Sequence, residues 1–114
     1  MIRVVVVEEM SLLRTALCVA LSSEEEIEVV AEVAGTGELS AMVRRHRPDV
    51  VLVDLASDVP QPAEVVAQIT GAAPGTAVLA MGRRWSPALV GDLLAAGARG
   101  PGGRHSGAGP VAAR

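Results

Sequence analysis

Asp49-Val50-Val51-Leu52-Val53-Asp54 is an apolar run of β-branched and aliphatic residues, bounded by Pro48 and a polar loop and ended by a carboxylate. An unbroken run of this kind is expected to form a strand buried on both faces. Such strands belong to parallel sheets covered by helices, and those sheets bind ligands beyond the carboxyl ends of their strands. Asp54 stands at that end. A second stretch has the same form: Ile2-Arg3-Val4-Val5-Val6-Val7, closed by Glu8-Glu9. Two buried strands that each deliver carboxylates to one edge would form an acidic pocket.

Working outward from these strands, Ser11 is placed to cap a helix running to about Leu21, with Leu12, Leu13, Ala16, Leu17, Ala20 and Leu21 on one face. Ser22-Ser23-Glu24-Glu25-Glu26 is a polar break. Partial alternation over Ile27–Ala34 predicts an edge strand exposed on one side. After the Gly35-Thr36-Gly37 turn, a helix is expected from about Glu38 to His46, its last turn carrying the Arg44-Arg45-His46-Arg47 cluster that suits a helix C-terminus. Pro48 ends it. Beyond the central strand and a loop, a helix over 63–70 buries Val65, Val66 and Ile69. Thr76–Met81 is the fourth strand, and Ser86-Pro87 opens a fourth helix burying Leu89, Val90, Leu93 and Leu94. Alternating strand and helix is the pattern of an α/β doubly wound parallel sheet with right-handed crossovers.

The pattern fades after residue 100. Residues 98–114 hold five Gly and two Pro with no apolar periodicity, so residues 101–114 read as a Gly/Pro/Arg-rich flexible tail. A last strand forms only weakly near Ala98–Gly100, and a last helix is not visible.

Composition narrows the classes. At 114 residues the chain is one domain. Half of it is hydrophobic, with no Phe, no Tyr and a single Trp, Trp85, so the core is expected to be Val, Leu, Ala and Ile. No apolar run approaches the roughly 20 residues of a membrane helix, and no basic-then-apolar leader opens the chain. The lone Cys18 forms no internal disulfide and reads as a small buried hydrophobe in a reducing, cytoplasmic setting. A net charge of −3 singles out no partner, and Arg83-Arg84-Trp85 is too thin a signal for nucleic-acid contact. His46 and His105 have no ligand spacing around them, and no nucleophile elbow, phosphate-binding loop or cysteine-rich metal spacing occurs.

Glu8, Glu9 and Asp54 are the chemistry-bearing constellation. Carboxylates gathered without neutralising partners repel one another, which is costly unless a cation or proton joins them. An oxygen-only site suits Mg²⁺, and an aspartate at a strand end can act as a nucleophile toward phosphorus. The residues alone leave a plainer reading open, in which Glu8-Glu9 is a solvated strand exit and Asp54 the first residue of a loop.

Residues 2–14, the segment Arg47-Pro48-Asp49-Val50-Val51-Leu52-Val53-Asp54-Leu55, and Ala95-Ala96-Gly97-Ala98-Arg99-Gly100 resemble, in register, bacterial response-regulator receiver domains. The nearest subgroup carries a C-terminal helix-turn-helix DNA-binding domain. The likeness covers residues 1–100. It implies a flavodoxin-like receiver with strand order 2-1-3-4-5, phosphorylated on Asp54 by a sensor histidine kinase. It further implies Mg²⁺ held by Glu8, Glu9, Asp54 and the backbone carbonyl of Ala56. The family's switch hydroxyl falls on Ala80 and its lysine on Arg104. Both are atypical, as is Glu9 in place of the usual Asp, and Asp58 stands where a proline often shapes the loop. Arginine keeps the charge of lysine but not its compact ammonium. The resemblance therefore implies a phosphorylated regulator of transcription, without enzymatic turnover and without direct nucleic-acid contact by this chain. A missing cover helix bares an apolar patch that invites a homodimer. The alternative is a degenerate receiver that docks or dimerises independently of phosphorylation.

Overall fold

The computed structural model describes residues 1–55, 62–81, 87, 91–92, 95–96, 98–101 and 111–113. β1 (Ile2–Val7), β2 (Ile27–Val33), β3 (Val50–Asp54) and β4 (Ala77–Met81) form a parallel sheet in the order β2-β1-β3-β4. Parallel neighbours need crossovers, and α1 (Ser11–Ser22), α2 (Leu39–His46) and α3 (Pro62–Ala72) supply them. This is the doubly wound parallel sheet expected from the strand–helix alternation.

The apolar runs of β1 and β3 are buried on both faces, because successive side chains alternate across the sheet. Val5, Val7, Val51 and Val53 join Leu39 and Val43 of α2 and Val65, Val66 and Ile69 of α3 in one core. Val4, Val6 and Leu52 point the other way, onto Cys18, Leu17 and Leu21 of α1. A bulge between Val4 and Val5 skips Val30 of β2, which lies at the sheet edge with no fully buried residue.

Two expectations for α1 need correction. Ser11 does not cap the helix: Met10 holds the N-cap position, with no side-chain cap bond from it. The inward face is also narrower than the spacing suggested. Leu12 and Leu13 are 81% and 38% exposed, and Ala16 and Ala20 are exposed as well. The sheet face offers α1 one narrow contact line along Leu17, Cys18 and Leu21, and an apolar stripe wider than that line cannot all reach it.

α2 ends on Arg47, which adopts the left-handed conformation at φ 44°, ψ 58° and donates its N–H to the Val43 carbonyl at 2.9 Å. The clash of Pro48 with the preceding residue keeps Arg47 out of the right-handed helical region. Between β4 and the C-terminal strands, Pro87, Gly91, Asp92 and Ala95 have helical backbone, consistent with the fourth helix. Trp85, Leu89, Val90, Leu93 and Leu94 lie outside the described residues.

The far edge of the sheet departs from the expected 2-1-3-4-5 order. The weak last strand is present as β5 (Ala98–Pro101), but it does not pair with β4. β6 (Val111–Ala113), drawn from the Gly/Pro/Arg-rich segment, lies antiparallel between them, pairing Val78 with Ala113 and Ala80 with Val111. A strand edge presents a row of unsatisfied backbone donors and acceptors, and Val111-Ala112-Ala113 is the apolar piece of that segment able to satisfy them. Pro101 ends β5 on the outer edge, where a missing N–H is tolerated.

Candidate functional site at the carboxyl edge of β1 and β3

β1 and β3 are neighbours, and Val7 pairs with Val53. The residues that follow, Glu8 and Asp54, therefore leave adjacent strands at the same level. Asp54 pairs with Met81 as the last rung of β3 and is half-buried.

Glu8 is 3% exposed, unusually deep for a carboxylate. Its backbone is fixed at both ends: its N–H donates to the Val33 carbonyl at 3.0 Å, and its carbonyl accepts from Arg14 Nη1 at 2.9 Å. Glu8 Oε1 accepts the Met10 N–H at 3.0 Å, satisfying a donor at the start of α1 that Ser11 leaves alone. Glu8 Oε2 is buried with no hydrogen-bond partner. A buried acceptor left unpaired costs about 1–3 kcal/mol, and a hard cation beside a second carboxylate is the chemistry that relieves it. Glu8 offers such an oxygen, and Asp54 leaves the neighbouring strand at the same level.

Glu9 fits less well. It is exposed in the turn after β1, and among the described residues no three His, Cys, Asp or Glu side chains group as metal ligands. Ala56, Asp58 and Arg104 lie outside the described residues. Ala80 is 1% exposed within the core and pairs with Val53, one rung inside the Asp54–Met81 pair.

Arg14 was missed by the sequence reading. Besides anchoring the Glu8 carbonyl, its Nε lies 3.6 Å from Glu32 Oε1, tying α1 to β2 beneath the site. Burial, followed by the hydrogen bond that the thiol donates to the Glu32 carboxylate, raises the Cys18 thiol above its ordinary range. An arginine three residues into an apolar helix was the available signal, since a charge at that position needs a partner.

No family model matches the chain. The transcriptional regulatory protein LnrK of Bacillus subtilis is 28% identical over 100 residues, covering 88% of this chain and 46% of LnrK. A protein-glutamate methylesterase/protein-glutamine glutaminase of Anaeromyxobacter dehalogenans is 44% identical over 55 residues, which are 48% of this chain and 16% of that protein. The chain thus spans less than half the length of these curated relatives. Among solved structures, the signal receiver domain of the response regulator NarL from Mycobacterium tuberculosis superposes with a TM-score of 0.72 at 30% identity, over 83% of this chain and 77% of that domain. With the strand order, the helical crossovers and the Glu8–Asp54 edge already in place, the similarity to NarL assigns the family: this chain belongs to the response-regulator receiver domains.

Proposed function

We propose that the chain accepts a phosphoryl group on Asp54 from a sensor histidine kinase, with Mg²⁺ held by Glu8, Asp54 and the Ala56 carbonyl, and that the modified face signals to transcriptional control. The observation that carries this reading is the buried, unpartnered Oε2 of Glu8 at the level of Asp54. An oxygen of Asp54 attacks the phosphorus of a phosphohistidine, the P–N bond breaks, and the departing imidazole takes up a proton. Bound Mg²⁺ supplies positive charge to the two carboxylates and to the phosphoryl oxygens. Glu8 is held rigid for this by three hydrogen bonds to its backbone and Oε1. Glu9 serves through solvent at most. Among the described residues no helix is long and apolar enough to cross a membrane, and we propose a cytoplasmic, non-enzymatic regulator.

A second reading, a docking module independent of phosphorylation, is favoured by Ala80, a core residue with no hydroxyl to follow a phosphoryl oxygen. The deciding experiment titrates Mg²⁺ and then beryllofluoride while following Trp85 fluorescence and the melting temperature. Acetyl phosphate labelling by mass spectrometry runs beside it, and Asp54→Ala and Glu8→Gln serve as controls. The signalling receiver requires a saturable Mg²⁺ response, reduced at least about tenfold in affinity by Glu8→Gln, and a label lost in Asp54→Ala. An unlabelled Asp54 with no response to either ligand would leave the docking module.

A further inference from the structure

The opposite edge of the sheet, where the strands begin, carries two clefts of contrasting charge. One, of about 630 Å³, lies between the ends of α2 and α3, and Arg44 and Arg47 line it. The other, of about 590 Å³, is bounded by Ile2, Ser23, Ile27 and the triplet Glu24-Glu25-Glu26. Arg44, Arg45 and Arg47 are exposed, as are all three acids of the triplet. Among the described residues none of the six finds an ion partner, and the one ion pair is Arg14–Glu32. Asp49, the acid within the basic cleft, is already engaged, its Oδ2 accepting the Arg3 N–H at 2.8 Å.

The segment between the two patches is apolar and outward. Met1 and Ile2 are 78% and 43% exposed. The Ile2 N–H donates to the Glu26 carbonyl at 2.6 Å, and Arg3 Nη1 donates to the carbonyl of His46. The first three residues therefore run from the acidic turn to the basic helix end. An apolar centre flanked by charge is the anatomy of a protein interface, and patches of opposite sign on either side of one centre are self-complementary under a two-fold axis.

We infer that this edge pairs with the same edge of a second copy, the Glu24–Glu26 turn of each facing the Arg44–Arg47 helix end of the other across Met1 and Ile2. The pairing is independent of the Asp54 site, which lies at the other end of the strands. Exposed ion pairs are individually weak and screened by salt, so the dimer is salt-sensitive.

The test uses the full chain in sedimentation equilibrium at ionic strengths of about 0.01 M and about 1 M, across which the screening length falls from roughly 30 to 3 Å. The expected result is a dimer whose dissociation constant rises at least about tenfold at high salt. Glu24→Arg with Glu25→Arg makes the edge largely basic, and Arg44→Glu with Arg45→Glu makes it largely acidic. These are exposed positions, and unchanged circular dichroism checks the fold. Each variant alone is expected to be monomeric, and an equimolar mixture to form a one-to-one heterodimer. A monomeric parent at low salt overturns the inference. So does a mixture that fails to associate, or a dimer indifferent to both reversals, which would move the contact to the exposed Leu12 and Val19 of α1.

Discussion

Thr76 shows how one hydroxyl fixes a strand entry. It is 2% exposed, and its Oγ1 donates to the Pro48 carbonyl at 2.7 Å, joining the start of β4 to the approach of β3. Thr76→Val keeps the shape and removes the donor, so it should cost about 1–3 kcal/mol in urea unfolding, with the Mg²⁺ response of Trp85 unchanged. Cys18 is the residue-scale probe of pH. Its folded-state thiol is raised by burial and by Glu32, so the fold holds the proton more tightly than the unfolded chain does. That stability is fully present below the unfolded thiol's ordinary value near 8.5 and is lost as pH rises through the folded value. Alkylation of Cys18 at pH 9 should therefore be slow in the native protein and fast in urea. Equal rates would contradict its burial. Val51, Val53, Val65 and Ile69 were legible as core from the sequence, because unbroken or periodic apolar patterns carry that information. Neither the Thr76 bond nor the Glu8–Met10 bond was, since each joins groups whose contact depends on how the chain folds back.

At the scale of elements, the ends of α1 and α2 were the least legible. Both helices were found, yet α1 is capped through Glu8 rather than Ser11, and its outer apolar residues find no cover among the described residues. α2 ends on a left-handed Arg47 where glycine is the usual choice. Relieving the β-carbon crowding there with Arg47→Gly should stabilise the protein by about 1 kcal/mol, read as a higher urea midpoint with unchanged slope. The bond that Arg3 Nη1 donates to the residue 47 carbonyl, at 3.4 Å, uses only the backbone of residue 47 and should survive the change.

For the whole molecule, β6 decides how the sheet closes. Ending the chain at residue 109 would bare the far edge of β4. The β4 amides should then lose hydrogen-exchange protection, and the truncated protein should associate in a concentration-dependent way that high salt does not reverse, unlike the edge pairing inferred above. The resemblance to receiver domains implied the order 2-1-3-4; the sequence by itself determined the alternation of strands and helices and the placing of Glu8 and Asp54 at the carboxyl ends of two buried strands. Local apolar periodicity suffices for those. The tertiary structure alone decided that Glu8 is buried with one oxygen unpartnered, that Glu9 stands outside, and that a three-residue strand from the glycine-rich end takes the place beside β4. Each follows from competition for space and hydrogen bonds among segments far apart in the chain, which no local pattern encodes.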